Sequence, residues 1–251
     1  MMNKQNDTQR SASVKSPVNR RAWIALGALC IVSFLGHLAL FPQLPDIVPT
    51  HWDAAGNVDG WSGRMATLGL DLLPLGLLVL FYALPKIDPR GKAYERMGSF
   101  YTGVVTLFTV FSICMTWTTE LTVFGIIPQN ESPIGIFTEV TVGIGLMLLG
   151  NYLPKVKRNY SFGCKTPWAL DNDQNWRLTH RFGGVAMVLA GLVTVVSGLF
   201  SHQMGGAAVV LLLAAVIGSS LATYAYSYLV FRNGNKPLRA KIKSKTLPAA
   251  D

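Results

Sequence analysis

Charge is scarce in this chain, and every second loop holds at most one positive charge. Only 14% of the 251 residues are Asp, Glu, Lys or Arg, against roughly 25% in an average soluble domain, which argues against a water-exposed globule. The three cysteines, Cys30, Cys114 and Cys164, form neither a disulfide framework nor a zinc-binding spacing, so no redox or metal role is expected of them. Hydrophobic residues, by contrast, make up half of the chain. They gather in six runs at residues 22–41, 65–84, 99–124, 134–153, 182–200 and 207–231. Each run is near the roughly 20 residues a helix needs to cross a bilayer core.

The 22 Lys and Arg residues fall almost wholly to one side of these runs. Residues 1–21 hold five, 85–99 four, 154–181 six and 232–251 six, whereas 42–64 hold Arg64 alone and 125–137 and 201–206 hold none. Short loops that keep Lys and Arg stay in the cytoplasm, and translocated ones lack them. The pattern predicts an all-α, polytopic integral membrane protein with six transmembrane helices and both termini cytoplasmic. Its net charge of +9 is therefore assigned to topology and to anionic headgroups of the lipid bilayer, and no direct nucleic acid binding is expected. The organisation that follows is a cytoplasmic tail (1–21), three helices (22–124) with a structured outer loop (42–64), three more helices (125–231) with a cytoplasmic loop (154–181), and a basic cytoplasmic tail (232–251). Arg20-Arg21 ahead of the first run resemble a twin-arginine export signal, but the run has full-span length and no small-x-small cleavage site. It is read as an uncleaved anchor.

Asp71, Glu120 and Glu139 lie within the apolar runs, toward their outer ends. A carboxylate in a span is costly, which makes the three candidates for a proton path or a ligand contact facing the bundle interior; the alternative is solvation at the outer headgroups. Asp71, about 9 Å along the helix from Met65, is the deepest. Gly184, Gly191 and Gly198 recur every seven residues, and Gly218 with Ala222 makes a small-xxx-small pair; both patterns allow close helix approach.

Two connections exceed the 2–8 residues usual between bundled helices. In the outer one, FPQLPDIVPTHWDAAGNVDGWSGR, Pro42, Pro45 and Pro49 impose an extended start, and turns are expected over 54–57 and at Asp59-Gly60. His51, Trp52 and Asp53 then sit on a short structured element at the membrane surface. His51 oriented by Asp53 or Asp59 has the form of a general base or a metal ligand, yet no nucleophile or further ligand accompanies it, and a hydrogen-bonded structural histidine beside an interfacial Trp is preferred. No catalytic or metal residues are assigned. In the cytoplasmic connection Pro154 ends the fourth helix, Thr166-Pro167-Trp168 turns the chain back, and residues 172–180 are expected as a short surface helix with Trp176 on its buried side. Trp168 and Trp176 are equally those of a surface anchor.

The run Asn151-Tyr152-Leu153-Pro154-Lys155, with Asn159-Tyr160, Phe162-Gly163, Thr166-Pro167-Trp168, Trp176 and Thr179-His180-Arg181, resembles the signature of the SdpI family of bacterial membrane proteins. The outer loop, with Pro45, Pro49-Thr50-His51-Trp52, Gly56 and Asp59-Gly60, is similar to the uncharacterised domain that often precedes it. Where the family usually places Ile-Arg before Thr-Pro-Trp, this chain has Cys164-Lys165, which keeps the charge but not the planar bidentate geometry of Arg.

The resemblance implies toxin immunity in the bacterial cytoplasmic membrane, with a secreted peptide toxin as partner on the outer face, a transcriptional repressor as partner in the cytoplasm, and no cofactor. The candidate binding residues are His51, Trp52, Asp53, Gly56, Asp59, Asp71, Glu120 and Glu139 on the outer side. Arg158, Asn159, Gly163, Lys165, Thr166, Pro167, Trp168, Trp176, Thr179, His180 and Arg181 are those on the inner side. A proton-coupled small-molecule or peptide transporter is the alternative, because the spans divide three plus three with a long loop in each half.

Overall fold

The computed structural model describes residues 17–53, 55–131 and 133–238; most of the two terminal tails read from the sequence lies outside these residues. The described chain is mostly helical, with six helices long and apolar enough to cross a membrane: Arg20–Gln43, Met65–Ile87, Gly98–Val123, Ile134–Lys155, Asp173–Leu199 and Gly206–Arg232. They are called the first to sixth spans here.

Capping sets where the spans begin. Asn19 Oδ1 accepts the N–H groups of Arg21 and Ala22 at 2.6 and 3.2 Å, which starts the first helix two residues ahead of the apolar run. Asn172 does the same for Gln174 and Asn175 at 2.8 and 3.0 Å. Residues 173–180 are therefore the first two turns of the fifth span, and not a separate surface helix. Leu72 interrupts the second span, with Pro74 in the turn that restarts it and no N–H there to continue the ladder. The third span breaks at Trp117, where the hydroxyls of Thr116 and Thr118 donate back to the carbonyls of Ile113 and Met115. Such back-bonding bends helices.

The fourth and fifth spans meet backbone to backbone. A Cβ on Gly150 would lie 2.8 Å from the Gly184 carbonyl, and one on Gly143 would lie 2.8 Å from that of Gly191; the reverse distances are both 2.6 Å. The heptad of fifth-span glycines thus has its complement seven residues apart on the fourth. Among the described residues a Cβ on Gly218 would meet nothing within 4 Å, so the expected small-residue contact on the sixth span is not made among them. The fifth span is the most buried of the six and the sixth the least, 39% against 11% of the apolar window. Most of the sixth span's apolar surface is left for lipid.

The connection between the first two spans is a β-hairpin. Strands β1 (Ile47–Trp52) and β2 (Val58–Gly63) pair antiparallel, with register shifts on both sides of His51. The turn forms because Asp53 accepts both the backbone N–H and the side-chain amide of Asn57, at 2.8 and 3.1 Å. Gly56 then takes φ 82°, a left-handed conformation that suits glycine. Three ties hold the hairpin on the bundle: Thr119 Oγ1 donates to the Pro49 carbonyl, the Val58 N–H to Gln129, and the Glu131 N–H to Asn57 Oδ1.

Candidate functional site

Beneath the hairpin lies a buried polar cluster built from the first three spans. His37 Nδ1 is 2.8 Å from Glu120 Oε1 and 3.6 Å from Asp71 Oδ1, with each of the three side chains no more than 2% exposed. The ring of His37 stacks on Trp117 at 4.2 Å between centroids, and the Trp117 indole donates to Ser33 Oγ at 2.9 Å. Gly36 makes room for that indole, since a Cβ there would come within 2.9 Å of it. The helix breaks at Leu72 and Trp117 immediately follow Asp71 and precede Thr118–Val123, the short helix that carries Glu120.

The tautomer of His37 follows from its neighbours. Thr116 Oγ1 spends its hydrogen on the Ile113 carbonyl at 2.9 Å, so at 3.2 Å it accepts from His37 Nε2–H. Nδ1 therefore faces two carboxylates. Among the described residues, Asp71 Oδ2 and Glu120 Oε2 are both buried without a hydrogen-bond partner.

A cavity of about 280 Å³ connects this cluster with the hairpin, lined by Thr50, His51 and Trp52 on one side and by Asp71 and Thr116 on the other. Trp52 Nε1 is buried and unpartnered. His51 and Asp59, which the sequence reading set together, are 2.5 Å apart on the exposed face of the hairpin. Asp53 stands apart from them: partial burial would raise its carboxyl, but the donors around the turn, those of Asn57 first, hold it below the usual range. Glu139 is buried elsewhere, against Ser197 of the fifth span at 3.4 Å, with Oε1 unpartnered.

At the opposite end the signature residues assemble one polar knot. His180 is fully buried: Nδ1 donates to the Trp176 carbonyl at 2.8 Å, and Nε2 accepts the Cys164 N–H at 3.1 Å, which fixes a neutral ring. Trp176 stacks on that ring and donates to the Val156 carbonyl at 2.8 Å; it belongs to the core and is no surface anchor. Thr166 caps the short helix Pro167–Asp171 through the Ala169 N–H and donates to Ser227, which donates to Asn175 Oδ1, where Thr179 also donates. Asn159 Oδ1 accepts from Ser161 and Phe162. Arg158 pairs with Asp173 at 2.9 Å and donates to the Leu170 carbonyl. Trp168 packs on Tyr224 and Tyr228 of the sixth span. Lys165, Pro167 and Arg181 are exposed. Burial pushes the Cys164 thiol up to about 11, which leaves it protonated at neutral pH.

Asp88, from the connection between the second and third spans, accepts from Tyr94, Tyr160 and Ser161 through one oxygen and from the Arg90 N–H through the other. Burial would raise its carboxyl, but these four donors together hold it below the usual range. The sequence reading passed over Asp88 and His37. For His37 a signal existed: a histidine four residues from the end of an apolar run matches Glu120 in depth, and intramembrane ionisable residues tend to find one another.

The family model described as SdpI/YfhL protein family matches residues 155–227, which contain the knot around His180. The model described as Domain of unknown function (DUF1648) matches residues 28–78, which contain His37, the hairpin and Asp71. The Immunity protein SdpI of Bacillus subtilis (strain 168) is 25% identical over 204 residues, covering 81% of this chain and 94% of that protein. No solved structure matches. With six apolar spans, this relation places the chain among multi-pass proteins of the bacterial cytoplasmic membrane and supports a membrane immunity role. The chain thus joins a segment similar to the SdpI/YfhL protein family, residues 155–227, to one similar to DUF1648, residues 28–78.

Proposed function

We propose that this protein shields the membrane that holds it from a secreted antimicrobial peptide, which it receives on the hairpin end, facing outward. The observation that carries the reading is the hairpin itself, a structured cover over a cavity whose inner wall includes a buried carboxylate. Its outer surface is acidic and partly apolar: Asp46 and Asp59 are exposed beside Ile47 and Trp61. A cationic, amphipathic peptide would be drawn there by charge and held by the apolar residues. At the other end, the exposed candidates Lys165, Pro167 and Arg181 would touch a cytoplasmic repressor, while Asn159, Gly163, Thr166, Trp176, Thr179 and His180 build the knot that presents them.

The test is survival of a sensitive bacterial host that carries this chain and is challenged with the secreted toxin of the SdpI system. Replacing residues 47–63 by a Gly-Ser linker of equal length is expected to abolish protection at unchanged membrane abundance. Full protection without the hairpin would overturn the reading. The alternative, a proton-coupled transporter, draws support from the unpartnered oxygens of Asp71, Glu120 and Glu139 inside the spans. It predicts proton movement in proteoliposomes that Asp71→Asn abolishes.

A further inference from the structure

A histidine that presents Nδ1 to two carboxylates cannot rest with a lone pair there. Its Nε2 already carries a hydrogen, and Glu120 Oε1 stands 2.8 Å from Nδ1, so either a shared proton or a cation must lie between them. A proton on Nδ1 would serve Glu120 Oε1 and, more weakly, Asp71 Oδ1 at 3.6 Å. It would leave Asp71 Oδ2 and Glu120 Oε2 buried without a partner among the described residues, which is costly in an apolar surrounding. A dication removes the difficulty, because it balances two carboxylates and either carboxylate can bind it through both oxygens.

We infer that His37, Asp71 and Glu120 form a binding site for one Zn²⁺ ion. Imidazole and carboxylate are both ordinary zinc donors, and the three side chains each offer an atom within 4.8 Å of the other two. Around a tetrahedral ion with ordinary Zn–N and Zn–O lengths, donors stand about 3.3 Å apart; Nδ1 is 2.8 Å from Glu120 Oε1 and 3.6 Å from Asp71 Oδ1, so loading requires Glu120 to draw back and Asp71 to close in slightly. Outer partners already orient the ligands: Thr116 fixes the tautomer of His37, and the Trp117 face fixes the ring plane. Metal-binding histidines ordinarily hold their second nitrogen in this way. The cavity that Asp71 shares with Thr50, His51 and Trp52 supplies the entry path and room for a water in a fourth position. Loading sends the proton on Nδ1 to solvent, since only the neutral imidazole nitrogen binds. The ion would fasten the first, second and third spans together directly under the hairpin.

The experiment uses the full chain in detergent micelles, stripped with a chelator, exposed to Zn²⁺, desalted, and assayed for metal by mass spectrometry. Wild type is expected to retain one zinc per chain. His37→Asn, Asp71→Asn and Glu120→Gln, if monodisperse, should each retain at least about 10-fold less, and His202→Asn on the opposite half should match wild type. X-ray absorption at the zinc edge of wild type, which needs no variant to fold, should show nitrogen and oxygen donors with one imidazole. Wild type that retains no zinc, or no more than Glu120→Gln, overturns the site and leaves a proton at Nδ1. Sulfur donors at the edge overturn it as well. Toxin protection is not read in either measurement, so loss of the immunity proposal would leave this one standing.

Discussion

At Gly163 the backbone adopts φ 104°, and a Cβ there would overlap His180 Nε2. Strain in an unfavourable backbone region and loss of the buried Cys164–His180 bond act together, so Gly163→Ala is expected to destabilise by about 2–4 kcal/mol. Thermal unfolding in detergent should show a clear fall in Tm, and an unchanged Tm would mean that the knot tolerates rearrangement. Asp88 allows a pH test. Its carboxyl is held below the ordinary range in the folded state, so the stability it contributes is complete above the unfolded value of about 4 and disappears as pH falls through the lower folded value. The Tm gap between wild type and Asp88→Asn should be widest near neutral pH and close toward pH 3. A gap that widens on acidification would contradict the assigned direction.

At the scale of elements, the glycine stripe of the fifth span pairs with that of the fourth. Gly191→Leu drives a side chain into the Gly143 carbonyl and Met147, and it is expected to reduce the yield of folded, monodisperse protein severely. Gly218→Leu, which meets open space, should leave that yield near wild type; similar losses in both would show that the stripe is not specific. The fifth-span stripe was legible because its period of seven is visible in the residues themselves. Its partner was not, since Gly143 and Gly150 lie among other glycines of the fourth run and nothing local names the helix they face. The hairpin was half legible: Gly56 and Asn57, within the turn expected over 54–57, announced it, whereas strand pairing is backed by the ties to Thr119 and Gln129, residues more than 60 positions away. His180 read as an interfacial residue because the apolar run begins after it; helix length is set instead by the cap at Asn172.

For the whole molecule, the partition of cations predicts that the hairpin end faces outward. In a cysteine-free background, Asn130→Cys should react with a membrane-impermeant thiol reagent in intact cells, and Lys236→Cys only after permeabilisation. The reverse order would invert the topology. The six spans were plain in the sequence because each is a long apolar run, while the meeting of His37, Asp71 and Glu120 depends on how three helices pack, which no run reveals. That packing divides the bundle unequally. The fourth and fifth spans touch backbone to backbone at Gly143–Gly191 and Gly150–Gly184, a close approach that is expected to make them turn together as one beam. Bending is then left to the joint between this beam and the first three spans, which the Asp88 carboxylate stitches at the loop end by holding Tyr160 and Ser161. A disturbance at the hairpin would cross the bilayer as a tilt of that beam about Asp88, with little change of shape inside it.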